Sequence, residues 1–468
     1  MVTASMATVL AQQRASFMRQ DAPTLIERRS DLMRLRQALL ARRSEFAASI
    51  DADFGHRSAY ETSIMELVPL VHGIDYLRRN LRRWMRPERR RVALHFRPAT
   101  ARVVHQPLGV VGIIAPWNYP LSLSLMPLAT AIAAGNRVMF KPSEFTPATT
   151  ALLESMLHAL FPEQRVAVVT GGAEVGAAFA ALPFDHLIFT GSTRVGRSVM
   201  RSAAENLVPV TLELGGKSPV IIEPGLALEG PAISIAYGKL ANAGQTCIAP
   251  DYALVHENDV TPFVACYIQA VRRLYPGGSS DPAYASINNS QHYQRLLGLL
   301  EDARNKGARV IEIESDQRSG PGRERTLAPS VVLDATADMA VSHDEIFGPV
   351  LPIVPYRELD DAIAYVNARP RPLALYIFGH DRGVRRRVLE RTISGNVTIN
   401  DTLLHFAQDD LPFGGVGASG MGAYHGREGF VALSHAKGIF QQARWNLGAA
   451  LHSPFGRLAD VVLAYLLR

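Results

Sequence analysis

From Gly109 to Gly196 the chain alternates short apolar runs with helix-type stretches, and this alternation narrows the fold more than any other feature. Gly109–Ala115 reads G-V-V-G-I-I-A and stops at P-W-N-Y-P, Pro116–Pro120. A helix is predicted from Leu121 to Ala134, stopped by Gly135. Arg137–Lys141 (R-V-M-F-K) is the next strand, broken at Pro142, and Pro147 opens a helix to about Leu160. Val166–Thr170 reads as strand, Glu174–Ala181 as a short helix and His186–Thr190 as strand. A turn, Gly191–Gly196, then leads into a helix from about Val195. Apolar strand runs that alternate with helices specify a parallel, doubly wound sheet covered on both faces. Ligands of such sheets bind beyond the carboxyl ends of the strands. Trp117, Asn118, Lys141, Glu144 and Ser192 all fall just after predicted strands.

The flanking regions differ. Before the alternation the chain reads as helices to about Asp53, with Leu25, Leu32, Leu35, Leu39 and Leu40 near a period of 3.6. A second helical stretch runs from Tyr60 to about Trp84. Arg91–Val104 reads as an exposed hairpin, and an unpaired apolar hairpin calls for a subunit contact. A second α/β segment begins near Val210, with T-L-E-L-G-G-K at Thr211–Lys217 and a strand after it. A helix leads to A-N-A-G-Q-T-C-I, Ala241–Ile248; strands follow at Ala253–His256 and Ala328–Leu333. Loops are expected around Pro276–Pro282 and at 315–322. Leu411–Gly422 has seven Gly, Ala or Ser in twelve residues, which makes tight turns rather than helix. The last segment, Leu458–Leu467, is an amphipathic helix too short to span a bilayer; it is expected to pack on a partner or on its own subunit.

Two cysteines in 468 residues exclude a disulfide scaffold and fit a reducing, cytoplasmic setting. Met1–Gln20 lacks a basic segment followed by an apolar core, so no secretory leader is expected, and no apolar run is long enough for a membrane span. The net charge of +6 is local: Arg78–Arg91 holds eight Arg and one Glu, which leaves the rest near neutral. Such a cluster is either a nucleic-acid or acidic-membrane patch, or a solvated helix end whose arginines pair elsewhere. Its spacing beside Tyr76, Leu77, Leu81 and Trp84 is that of an amphipathic helix, and no nucleic-acid motif accompanies it.

Several positions could carry chemistry, each with a plainer alternative. Cys247 is either a small buried hydrophobe or a nucleophile, and the second role asks for a lowered pKa. Glu213 is either a buried general base or the partner of Lys217 or an Arg. Asn118 can donate to a developing oxyanion or serve its turn. Lys141 and Glu144 in K-P-S-E suit ribose hydroxyls, or are an ordinary surface tetrapeptide. Gly191–Gly196 (G-S-T-R-V-G) sits between strand and helix, where a phosphate-binding turn belongs, but Thr193 replaces the middle glycine of the usual fingerprint. Cys266, among Phe263, Val264 and Ile268, reads as core. His343, His405 and His425 do not make a metal spacing, and no metal is expected.

Taken in order, P-W-N-Y-P, K-P-S-E, G-S-T-x-x-G, L-E-L-G-G-K, G-Q-x-C, E-I-F-G-P and P-F-G-G-V-G-x-S-G resemble the motifs of the aldehyde dehydrogenase superfamily. They span roughly Pro107 to Gly422. The short arm before P-W-N resembles the class 3 branch, and Ala407–Gly426 is similar to the bacterial coniferyl aldehyde dehydrogenases within it. Ala418 departs from the proline often found there.

The resemblance implies an α/β fold with three parts. A doubly wound parallel-sheet domain at 1–86 and 108–210 would bind NAD, with NADP as the alternative. An α/β catalytic domain would fill 211–400. A β-hairpin and C-terminal element at 87–107 and 401–468 would join two subunits. It implies oxidation of an aldehyde to its acid, the substrate being coniferyl aldehyde or, alternatively, a medium- or long-chain aliphatic aldehyde. Cys247 would be the nucleophile, Asn118 and the Cys247 N–H the oxyanion donors, and Glu213 the base. Trp117, Lys141, Glu144, Gly191, Ser192, Gly196, Leu214, Glu345 and Phe347 would bind the cofactor. A cytoplasmic homodimer without nucleic acid is expected.

Overall fold

The computed structural model describes residues 2–314, 323–446 and 451–467; the expected loop at 315–322 lies outside the described residues. The N-terminal region is helical, as its leucine spacing requires, with helices Val2–Arg19, Leu25–Ala41 and Arg43–Phe54. Thr24 and Glu27 cap the second of these reciprocally, which satisfies two backbone N–H groups that a helix start leaves open. Leu32, Leu35 and Leu39 are fully buried, whereas Leu40 falls off the stripe and is exposed. The expected helix from Tyr60 to Trp84 is present at Ala59–Trp84 but carries a π turn at Ser63–Leu67. The π turn shifts the faces of the helix within one turn. Glu66 is driven fully inside while Ile64 stays exposed.

The hairpin pairs β1 (Glu88–Arg90) with β2 (Thr100–Pro107), antiparallel. It is wider than the expected 91–104: β1 lies before that stretch and β2 runs on past it, while Leu94–Phe96 form a 3-10 turn between them. Pro98 has no N–H to give a ladder, so pairing resumes only at Thr100. The alternating region supplies β3 (Val110–Ile114), β4 (Arg137–Lys141), β5 (Val166–Val168), β6 (His186–Thr190) and β7 (Val210–Glu213). They form one parallel sheet in the order β7-β6-β3-β4-β5. Every residue of β3 and β4 is buried, which is why those runs lack polar alternation.

One boundary differs from the sequence reading. β7, expected to open the second unit after residue 210, instead adds to the first sheet, with Thr190 opposite Glu213. The crossing between sheets comes after it, through Leu214–Ser218. The second sheet then uses β8 (Pro219–Ile222), β9 (Tyr252–His256), β10 (Arg309–Glu312), β11 (Ser330–Leu333), β12 (Val350–Tyr356), β13 (Ala374–Phe378) and β14 (Asn396–Ile399). Its order is β10-β11-β12-β9-β8-β13-β14, parallel apart from the β10 edge.

The segment from 401 onward also divides. β15 (Gly420–Met421) pairs antiparallel with β7. A Cβ on Gly420 would sit 2.1 Å from the Leu212 carbonyl oxygen, so only glycine allows this approach. The helix Gly426–Ala432 packs on the first unit's helices. Only β16 (Ser434–Gln441) joins the hairpin, completing a three-stranded sheet in the order β1-β2-β16. Leu94, Phe96 and Phe440 are exposed on this sheet. The final helix, Arg457–Leu466, buries Ala459 and leaves Leu458, Val461, Leu463 and Tyr465 exposed. Among the described residues no helix is long and apolar enough to cross a membrane.

Candidate active site

Residues beyond the carboxyl ends of the first sheet meet residues before the amino ends of the second. The helix Glu229–Leu240 ends, and the chain turns through Asn242 (φ +53), Ala243 (φ +52) and Gly244 (φ +77). Left-handed backbone is strained at the two non-glycine positions, and buried amides hold it. Gln245 Nε2 donates to Asn242 O at 2.9 Å and to Ser286 O at 3.1 Å, while its Oε1 accepts from Asn288 N at 2.9 Å. Asn242 Nδ2 donates to Asn118 O at 2.8 Å. A Cβ on Gly244 would lie 2.3 Å from the Gly348 carbonyl oxygen, so glycine lets the E-I-F-G-P loop seat here. Cys247 follows directly.

Asn118 reaches the same loop from the end of β3. Its Nδ2 donates to Gln245 O at 3.1 Å, and an amide nitrogen carries a second N–H for an oxyanion. The turn around it rests on an ion pair with no solvent exposure. Arg57 Nη1 donates to Glu66 Oε1 at 2.7 Å and to Asn118 O at 3.4 Å. Glu66 Oε2 accepts from the N–H groups of Leu121 at 2.8 Å and Ser122 at 2.9 Å.

Glu213 ends β7, buried, and neither carboxyl oxygen has a hydrogen-bond partner. Lys217 does not pair with it: Lys217 Nζ bonds Asp251 and donates to Val341 O and Asp344 O at 2.9 Å. Burial therefore pushes the Glu213 carboxyl well above the usual range. The Cys247 thiol is pushed up to about 12, first by burial and then by Glu345 and Glu213, while its own N–H and that of Ile248 pull the other way. This is opposite to the lowered value expected of a nucleophile, chiefly because the sulfur is buried and secondarily because Glu345 and Glu213 bear on it. The site rests with its thiol protonated. Glu345 is raised to about 7 by burial and Asp251, against the Gly216 N–H and Lys217.

The other expected residues line the carboxyl edge of the first sheet. Lys141 is buried at the end of β4 with Nζ 3.2 Å from Glu144 Oε2, and Glu144 is partly exposed. Beyond β6, Ser192 Oγ accepts from Val195 N at 3.4 Å and caps the helix Thr193–Ala204, which presents its N-terminus after Gly191. Thr193, in the place of the missing glycine, donates through its hydroxyl to Ala418 O at 3.0 Å. Gly196 lets this helix close on Leu214, whose Cδ2 would be 2.7 Å from an added Cβ. At Gly215 an added Cβ would be 2.2 Å from a Glu345 carboxylate oxygen. Phe347 (φ +50) stacks edge-on against Trp117 at 5.6 Å, and Arg295 holds the carbonyl of Glu345 at 3.2 Å. A lysine and carboxylate for ribose hydroxyls, a helix N-terminus for pyrophosphate and a second, buried carboxylate against Gly215 fit a nicotinamide dinucleotide.

The histidines are structural here. His405 and His425 pack on the Phe413 ring, and burial lowers them to about 4 and about 3, so they are neutral. His343 is exposed beside Asp344. The arginine cluster is partly paired: Arg78 with Asp75 at 2.5 Å, and Arg90 with Glu88 at 2.7 Å.

Cys247 lines a cavity of about 160 Å³, together with Tyr119, Leu123, Tyr237, Thr246, Leu403 and Phe406 among others. It is almost wholly apolar, and Cys247 is part of its lining. A cysteine that lines an apolar cavity in a fold with a dinucleotide-type edge suits oxidation of a small carbonyl compound held covalently.

The chain matches the aldehyde dehydrogenase family over residues 3–439. It belongs to the aldehyde dehydrogenase family. A Pseudomonas aeruginosa protein described as "Probable coniferyl aldehyde dehydrogenase" is 52% identical over 449 residues, covering 96% of this chain and 93% of that protein. The "Coniferyl aldehyde dehydrogenase" of a Pseudomonas species is 45% identical over 462 residues, with 98% and 96% covered. The substrate-bound structure of Staphylococcus aureus AldH superposes with a TM-score of 0.93 at 35% identity, covering 99% of both chains. The chain is thus an aldehyde dehydrogenase that uses a nicotinamide cofactor.

Sequence reasoning missed Arg57, Glu66, Asn242, Arg295 and the structural part of Gln245. Gln245 had a signal, its place inside G-Q-T-C. Glu66 had none, since M-E-L inside a helix looks like any solvated glutamate.

Proposed function

We propose that this aldehyde dehydrogenase converts a phenylpropanoid aldehyde, coniferyl aldehyde, to its acid through a thioester on Cys247. What supports the site assignment is that Cys247 lines an apolar cavity, that Asn118 bonds the Gln245 carbonyl two residues before it, and that the Glu213 carboxyl is near enough to raise its thiol. The substrate rests on the names of the two Pseudomonas relatives.

The Cys247 sulfur, once deprotonated, adds to the carbonyl carbon. The free N–H of Asn118 and the Cys247 N–H donate to the oxygen that becomes negative. A nicotinamide held by the first sheet's carboxyl edge would supply the hydride acceptor for this oxidation. Glu213 then takes a proton from the water that attacks the thioester, and the acid leaves as the thiol reforms. Burial raises the Glu213 carboxyl, so deacylation speeds up as pH rises. The cofactor would be NAD: Lys141 and Glu144 would hold the adenosine ribose, Ser192 and the Gly191 turn the pyrophosphate, with Gly196 and Leu214 closing the helix behind it, and Glu345, Phe347 and Trp117 the nicotinamide riboside. NADP is the alternative, since Lys141 could meet a 2′-phosphate if Glu144 turned away. The first sheet's unit is then the dinucleotide domain, and the second supplies Cys247. Two copies meet through the β1-β2-β16 sheet and the last helix, in the cytoplasm.

The test is NADH absorbance with coniferyl aldehyde, benzaldehyde, hexanal and decanal, using NAD and NADP separately. Coniferyl aldehyde with NAD is expected to give the highest kcat/KM. A preference for decanal would replace the substrate with the aliphatic alternative, and no rate with any aldehyde would overturn the reading. Salt-dependent DNA or vesicle binding unaffected by Cys247→Ala, with no dehydrogenase activity, would point instead to the arginine cluster.

A further inference from the structure

The cavity over Cys247 is apolar apart from a few hydroxyls, and these differ in what they already hold. The Tyr119 hydroxyl and Thr246 Oγ1 bond each other at 2.6 Å. Thr402 Oγ1 donates to Ser234 O at 2.9 Å. Tyr237 is different: its hydroxyl meets only Met65 Sδ, at 3.6 Å. A thioether is a weak acceptor, so this O–H is available to any oxygen that comes near.

Its position gives it a task. The cavity has an open rim and a closed floor. Ile64, Leu404 and Tyr237 are 55%, 49% and 41% exposed, whereas Tyr119, Thr246 and Leu123 are 6%, 5% and 5% exposed. The floor residues flank Cys247. A substrate whose aldehyde carbon meets that sulfur must lay its far end along the rim, beside Tyr237. Burial, then Glu61 and Asp401, raise the Tyr237 phenol above its ordinary range, so it remains a donor at neutral pH. The same two carboxylates disfavour a substrate that arrives as a phenolate.

We propose that Tyr237 is a specificity-determining residue whose hydroxyl donates to a ring oxygen at the far end of the substrate, so that aryl propenals bearing a 4-hydroxy or 4-methoxy group are preferred over the unsubstituted ring. This rests on the phenylpropanoid reading above. The bond lies far from the reacting carbon, so it forms equally in ground and transition states and acts on KM rather than on kcat. Ser122, whose hydroxyl lines the floor and is 3% exposed, is too deep to meet that oxygen.

The experiment measures kcat/KM for coniferyl aldehyde, 4-methoxycinnamaldehyde and cinnamaldehyde with wild type, Tyr237→Phe and Ser122→Ala. Phenylalanine keeps the ring and removes only the oxygen. The expected result is a wild-type preference for the two oxygenated substrates that falls roughly 5- to 10-fold in Tyr237→Phe, carried by KM, the worth of one hydrogen bond. Ser122→Ala keeps the wild-type ratio. An unchanged ratio in Tyr237→Phe overturns the role of Tyr237 and leaves the phenylpropanoid reading standing, as does an equal fall in Ser122→Ala. A wild type with no preference for ring oxygen overturns both.

Discussion

Replacing Gly215 by alanine should disable the enzyme without unfolding it. Gly215 lies in the crossing between the sheets, in backbone that any residue can adopt, so the substitution adds no dihedral strain. What it adds is a Cβ at 2.2 and 2.3 Å from the two carboxylate oxygens of Glu345, where ordinary contact begins at 3.4 Å. The free end of a side chain can retreat, and here it must retreat by roughly 1 Å, a displacement that costs on the order of 100-fold when it misplaces a substrate-positioning group. Thermal unfolding should therefore move little, while NADH production falls about 100-fold and NAD binding, followed by protein fluorescence, weakens. The cause is tested by a double-mutant cycle: with Glu345→Gln already present, adding Gly215→Ala should cost far less than it does alone, because the group it displaces is already impaired. Additive losses, or a Gly215→Ala enzyme with wild-type turnover, would refute the reasoning.

Other consequences follow from the same geometry. Arg57→Met leaves Glu66 buried without its cation and should cost about 3–5 kcal/mol, measured by denaturant unfolding, with part recovered in Arg57→Met/Glu66→Met. Turnover should fall in both, since the pair seats the Asn118 turn. His405 and His425 are lowered to about 4 and about 3 in the fold, against roughly 6.5 unfolded, so below that value the unfolded chain gains protons that the fold refuses. Stability should drop as pH falls from about 6.5 toward 4, by about 1.4 kcal/mol per pH unit for each histidine, and the double glutamine variant should flatten the slope. Sedimentation should give twice the mass of one chain, and Phe440→Asp on the exposed sheet should shift it toward the monomer.

Much of the fold was legible because its strands are short, apolar on both faces and stopped by Gly or Pro. β3, β4 and β6 needed nothing from the rest of the chain to be recognised. β7 was assigned to the wrong sheet because V-T-L-E alternates as any strand does, and only long-range pairing with β6 and β15 decides where it lies. The π turn at Ser63–Leu67 was invisible for a related reason: it is imposed by the buried Glu66, whose partners Leu121, Ser122 and Arg57 are distant or off its face. At the site, residue types pointed to Cys247, Asn118 and Glu213, and the ordered motifs, through the family resemblance, to Glu345. Their state did not follow from order. A buried cysteine, with carboxyls added nearby, is held as a thiol, and only the folded arrangement buries it and brings those groups to it.

The account turns on covalent chemistry at Cys247 released by Glu213, and a single rapid-mixing measurement reads both. Excess NAD and coniferyl aldehyde are mixed with enzyme, and NADH is followed through the first turnover. Wild type should show continued NADH release, Cys247→Ser none, and Glu213→Gln a burst of about one NADH per active site followed by a steady rate at least ~100-fold lower. A Cys247→Ser enzyme that still forms NADH, or a Glu213→Gln enzyme that turns over without a burst at the wild-type rate, would contradict it.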